Sequence, residues 1–112
     1  MTIAVTLTGM MRIEPMAMKV RAGVPTIFVV TNAGKIVHES TLGDADVQDG
    51  HEQEVMAMGG MGMTSDEPIA ISVPPGETKE LVFTFEMRGM SMAGCHVMGH
   101  YPAGMKATIT VI

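Results

Sequence analysis

Aromatic side chains are nearly missing from this sequence. Its 112 residues include no tryptophan, one tyrosine and three phenylalanines, so core gaps that rings usually fill must be filled by something else. Cysteine occurs once, at Cys95, which excludes an internal disulfide. Positive charge is scarce as well. Seven Lys and Arg face twelve Asp and Glu, a formal net charge of −5. That balance argues against nucleic acid or an anionic membrane surface as the main partner. It would suit a basic protein partner. No apolar run approaches the roughly 18 residues of a membrane-spanning helix. No basic-then-apolar leader opens the sequence, which fits a cytoplasmic protein and equally the mature form of an exported one.

Methionine is in excess, with 14 residues. With 46% apolar and 17% charged residues, the chain is not of the disordered class. Its length suits one domain, residues 1–112, around a single core. Alternating and β-branched runs predict strands over residues 2–8, 12–20, 26–31, 37–42, 69–73, 80–85, 90–95 and 105–111. Pro15 interrupts the second run and places it at an edge or a bulge. Residues 43–68 differ in character. Asp44, Asp46, Asp49, Glu52 and Glu54 lead into Met56-Ala57-Met58-Gly59-Gly60-Met61-Gly62-Met63. A short helix is expected over residues 50–58, with the nearby glycines opposing a longer one. A connection of this length in a small domain is often functional. About eight short strands with no long helical period predict an all-β Greek-key sandwich carrying a short helical or loop insert.

One stretch carries chemistry: Cys95-His96-Val97-Met98-Gly99-His100-Tyr101-Pro102-Ala103-Gly104-Met105. It offers a thiolate, an imidazole and a thioether as Cys-x4-His-x4-Met. A blue copper site takes these three ligand types from one loop, in a trigonal plane of one Cys and two His with a long axial Met. Gly99 and Gly104 permit the tight turns that bring such side chains together. The loop lacks a second equatorial histidine, and His38 is the best candidate among the four histidines of the chain. His96 follows Cys95 directly and should point to the opposite face of an extended segment, so a surface position is expected for it. His51, among the acidic residues, is expected on a solvated face.

The run Gly-Cys-His-Val-Met-Gly-His-Tyr-Pro-Ala-Gly-Met-Lys-Ala-Thr-Ile-Thr-Val resembles the C-terminal end of bacterial cupredoxins of the plastocyanin/azurin superfamily. Asn32-Ala33-Gly34-Lys35-Ile36-Val37-His38-Glu39 resembles the segment bearing that family's first histidine. The resemblance spans nearly the whole chain. It implies a β-sandwich, with His38, Cys95 and His100 as equatorial ligands and Met105 as the axial one. It also implies one copper ion per chain, cycling between Cu(II) and Cu(I). Two features depart from the family pattern. Met98 stands where proline is frequent, and Ser91 and Ala93 stand where aromatics usually line the cysteine's face. Both bear on the packing around the metal and leave the ligands in place.

Two functions are expected from this reading. The first is one-electron transfer outside the cytoplasm, in the periplasm, with another redox protein as partner. The second is copper tolerance, in which the type 1 site acts together with a Cu(I) site formed by Met56, Met58, Met61 and Met63, and the partner is a copper-handling protein. Thioethers favour Cu(I), although the same methionines also suit a flexible apolar cover. A monomer is expected. An enzyme is not, because a multicopper oxidase needs many more histidines and a copper nitrite reductase needs a second domain. No base-and-nucleophile pair stands out either.

Overall fold

A computed structural model of the protein describes residues 1–57, 66, 68–97 and 99–112. Within these residues the chain forms strands β1 (Thr2–Leu7), β2 (Ile13–Glu14), β3 (Ala17–Val20), β4 (Thr26–Asn32) and β5 (His38–Gly43), then helix α1 (Ala45–Ala57), then β6 (Ala70–Val73), β7 (Thr78–Phe83), β8 (Gly89–Gly94) and β9 (Lys106–Val111). The strands make two sheets, ordered β2-β1-β4-β7 and β3-β9-β8-β5-β6. Pairing is antiparallel except for β1 with β4 and β3 with β9.

Alternation puts one face of each sheet inward. In β4, Phe28 and Val30 are buried while Ile27 and Val29 are only half-buried. In β9 the buried set is Ala107, Ile109 and Val111. These meet Val5, Leu7 and Leu81 in the core between the sheets. All three phenylalanines pack edge to face in one chain of contacts, with Phe28 and Phe83 at 6.4 and 4.7 Å from Phe85. This cluster lies beside the start of β8, at the end of the strand away from Cys95.

The expected strand over residues 12–20 is two strands. Proline has no N–H for a ladder, and at Pro15 the chain leaves one sheet for the other. β2 pairs with β1 and β3 pairs with β9. Both pieces are edge strands, as a proline requires. This split raises the expected eight strands to nine among the described residues.

The helix is also longer than expected, and it starts five residues earlier than residue 50. Asp44 is its N-cap, with Oδ1 accepting from Val47 N at 3.0 Å. The residues it buries are Gln48, His51 and Val55. That stripe has helical spacing but is mostly polar, so an apolar periodicity could not reveal it. α1 packs across β5 and β8, which explains why five successive residues of β5, His38 to Leu42, are buried. One face of β5 meets the core and the other meets the helix. Met58, Met61, Met63 and Met98 lie outside the described residues, while Met56 is exposed at the end of α1.

Asn32, at the end of β4, fixes the turn that leads to β5. It is fully buried. Its Nδ2 donates to Ile36 O and Val73 O, both at 2.8 Å, and its Oδ1 accepts from Gly34 N at 2.8 Å. Asn32→Ala removes all three bonds and leaves buried acceptors unpaired. It is expected to cost roughly 2–4 kcal/mol of stability, read from the shift of a urea unfolding midpoint at constant slope.

Candidate metal centre

Three strands of one sheet deliver the candidate ligands. β5 opens with His38, and β8 ends one residue before Cys95. Met105 stands immediately before β9. β8 lies between β5 and β9, so these residues reach the same end of the sandwich. Cys95 N donates to Met105 O at 3.0 Å, and Met105 N donates to His100 O at 3.1 Å. The loop between folds back on itself. His100 N donates to Val97 O at 2.8 Å and Gly104 N to Tyr101 O at 3.0 Å. Gly99 and Gly104 have φ of 82° and 103°, backbone angles that glycine adopts without strain. Arg12, from the turn before β2, holds the loop from outside by donating to Ala103 O at 3.3 Å.

The result is a buried triad. One donor atom from each of His38, Cys95 and His100 lies within 4.8 Å of the other two. His38 Nδ1 and His100 Nδ1 face each other at 3.3 Å, and Cys95 Sγ is 3.4 Å from His100 Nδ1. Cys95 and His38 are fully buried and His100 is nearly so. Met105 is fully buried as well, and its backbone is bonded to both Cys95 and His100. Glu39 N donates to Cys95 Sγ at 3.2 Å.

Burial governs the protonation of this group. It lowers the pKa of His38, with the nearby His100 adding to the effect and the Thr8 backbone opposing it. It lowers His100 too. Both imidazoles are therefore biased to the neutral form that binds metals. Burial pushes the Cys95 thiol up to about 12, so a thiophilic cation must displace a proton to bind there. Two imidazoles and a thiol at one buried point form a nitrogen–sulfur donor set suited to copper or zinc.

The surroundings of His38 are tight. Its Nε2 is buried and makes no hydrogen bond among the described residues. A Cβ added to Gly34 would stand 2.8 Å from that atom, 3.2 Å from Asn32 Oδ1 and 3.3 Å from the Gly9 backbone. Glycine at residue 34 is thus what lets the His38 ring keep its place.

His96 and His51 are not where the sequence placed them. His96 is fully buried and His51 is 9% exposed. His96 does point away from Cys95's face, as alternation requires, but α1 covers that face. His96 Nε2 is 2.6 Å from Gln48 Oε1, and Nδ1 is 3.2 Å from Glu52 Oε2. His51 Nε2 lies 3.7 Å from Glu39 Oε1. Tyr101 stacks on the His96 ring at 4.4 Å with a 22° tilt. Gln48 and Tyr101 went unremarked in the sequence. The i, i+3, i+4 spacing of Gln48, His51 and Glu52 was the available signal.

No protein-family model matches the chain. The copper-resistant cuproprotein CopI of Pseudomonas aeruginosa is 32% identical over 130 residues, covering 92% of this chain and 72% of that protein. CopI of Rubrivivax gelatinosus is 34% identical over 110 residues, covering 98% and 66%. CopI of Vibrio cholerae serotype O1 is 38% identical over 82 residues, covering 73% and 47%. The chain thus spans between about half and about three-quarters of these relatives' lengths. Among solved structures, reduced auracyanin from Roseiflexus castenholzii superposes with a TM-score of 0.85 at 20% identity, covering 99% of this chain and 96% of that one. Auracyanin A, a blue copper protein from Chloroflexus aurantiacus, gives 0.79 at 23% identity, covering 100% and 98%. These structures share the β-sandwich fold.

Gly34→Ala tests the tight fit at His38. The methyl group must displace His38, Asn32 or Gly9. The triad's affinity for a thiophilic metal ion is expected to fall by roughly 10- to 100-fold, measured by competition with a chromophoric chelator. Overpacking is expected to cost about 1–3 kcal/mol of stability as well.

Proposed function

This chain belongs to the family of copper-resistant cuproproteins CopI, and on that premise we propose that it holds one copper ion at His38, Cys95 and His100, with Met105 as the axial ligand. The observation that carries this reading is the buried convergence of two imidazole nitrogens and one thiol within 4.8 Å. When bound, copper supplies a one-electron couple between Cu(II) and Cu(I). The chain supplies the rest. Neutral imidazoles offer their lone pairs, and Glu39 N–H supports the sulfur. The closed loop and the sandwich keep water from the donors. His100, 4% exposed, is the triad member nearest solvent and the natural exit for an electron.

We assign the chain a type 1 copper site acting in one-electron transfer outside the cytoplasm, with a redox or copper-handling protein as partner. The fold likeness to the auracyanins supports this. Among the described residues, no helix is long and apolar enough to cross a membrane. A copper-binding role rather than an enzymatic one, in a single 1–112 domain acting as a monomer, follows the same reading.

The deciding experiment is a Cu(II) titration of the metal-free protein with Cys95→Ser alongside. An intense thiolate-to-copper absorption that saturates at one copper per chain is expected, and it should vanish in the variant. Binding that ignores Cys95 would refute the site.

The relatives' shared name favours a second role, copper tolerance, with Met56 and the methionines that follow it in sequence as a Cu(I) site. The Cu(I) stoichiometry should then exceed one and fall when Met56, Met58, Met61 and Met63 are replaced together. A stoichiometry of one that those replacements leave unchanged would rule out this role for the methionines.

A further inference from the structure

The layer between α1 and the ligand strands contains a contact that metal binding does not itself require. Gln48 is fully buried. Its Nε2 donates to Thr41 O at 2.8 Å and to Gly43 O and Met92 O, each at 3.3 Å. All three partners are carbonyls and only accept, so the amide nitrogen must face them and the amide oxygen must face away. That oxygen lies 2.6 Å from His96 Nε2, which therefore carries the hydrogen and donates. One side chain ties α1, β5 and β8 to the residue that follows Cys95.

The fit leaves little freedom. A Cβ on Gly94 would stand 2.5 Å from Gln48 Oε1 and 2.7 Å from Tyr101 Cε1. With Tyr101 stacked on its ring and Glu52 at Nδ1, His96 is held on three sides. Val97 comes next in the chain, beyond the end of β8; its backbone N–H favours the Cys95 thiolate, while Glu39 N donates to the sulfur at 3.2 Å. The two donors differ in what places them. Glu39 is fixed by β5 pairing with β6. Val97 has no strand to hold it; its O accepts from His100 N at 2.8 Å and its side chain packs on the core, while the turn on its other side is anchored by His96.

We propose that Gln48 and His96 form a positioning pair that holds the turn at residues 95–97, and through it the hydrogen bonding at the Cys95 sulfur, and so sets the reduction potential of the bound copper. The proposal rests on the copper reading above. An N–H aimed at a coordinating sulfur draws charge from it and favours the reduced metal. Loss of the pair should therefore lower the potential. Neither residue belongs to the triad that would hold the metal, and both would act through the backbone beside Cys95.

The test uses Gln48→Met, His96→Phe, their double variant and His96→Gln, each loaded with one copper, with the midpoint potential read by redox titration. Gln48→Met and His96→Phe keep side-chain volume but lose the hydrogen bond, and in both the potential should fall. The double variant should fall no further than the larger single change, because the two residues act as one unit. His96→Gln places an amide nitrogen where Nε2 was, keeps the bond to Gln48 and should stay near the parent potential. In the metal-free chain, amide exchange at Val97 should quicken in the first two variants and remain slow in His96→Gln. Unchanged potentials with slow Val97 exchange would overturn the proposal. So would additive shifts, or an equal fall in His96→Gln, which would assign the effect to ring packing. If Gln48→Met does not fold, the contrast between His96→Phe and His96→Gln decides alone. A parent protein that takes up no copper would overturn the copper reading instead, and the exchange measurement would still judge the pair.

Discussion

Two imidazole nitrogens held 3.3 Å apart beside a buried thiol are the constraint on which the rest of this structure depends. Burying polar groups without full pairing costs free energy, so apolar packing alone would not choose this arrangement. The backbone imposes it. β5, β8 and β9 are neighbours in one sheet, so His38, Cys95 and Met105 arrive at the same end by pairing register. Asn32 and Gly34 then shape the approach to His38, and the loop's own hydrogen bonds bring His100 back over Cys95. Each device acts on main chain. None requires the ligand side chains to find one another unaided.

That sheet is unusual in having both faces buried at this end. Its inner face meets an ordinary apolar core. Its outer face meets α1 through Gln48, His51 and Glu52, against Glu39, His96 and Tyr101. A polar layer of this kind contributes little net stability per bond, about 0.5–1.5 kcal/mol. Its geometry, however, is far more specific than apolar contact, because donors and acceptors must match one to one. Gln48 shows the consequence. Three carbonyls dictate which way its amide points, and that in turn requires a proton on His96 Nε2. A leucine in its place would fill the space and specify neither.

The sandwich was legible in the sequence because its core strands obey period two. β4 and β9 alternate as read, and Pro15 marked an edge. The convergence of Cys95 and His100 was legible because Cys-x4-His-x4-Met is a chemical pattern that needs no packing information. His96 shows where such reading stops. Its orientation, opposite to Cys95, follows from alternation and is observed. Its expected exposure did not follow, since a strand residue pointing away from the core meets solvent only if nothing lies across it. What lies across it is α1, whose buried stripe is polar and whose start is set by Asp44. Hydrophobic periodicity carries no trace of such a stripe, so the same gap concealed the early start of the helix, the burial of His51 and His96, and the part played by Gln48.

The scarcity of aromatics has a spatial side. The three phenylalanines pack together beside the start of β8, and the single tyrosine stacks on His96 near the triad. Around the triad, rigidity comes instead from short hydrogen bonds. His100 N to Val97 O, Met105 N to His100 O and Cys95 N to Met105 O, all between 2.8 and 3.1 Å, close the loop without help from large rings. A loop closed in this way has its donor atoms converged before any metal arrives, so binding need not pay to order it. The same closure limits how far the donors can relax when the metal changes charge. A site that held one geometry for both oxidation states would suit one-electron exchange, and the hydrogen bonds among residues 95–105 and the polar layer behind them are what would resist a change of geometry.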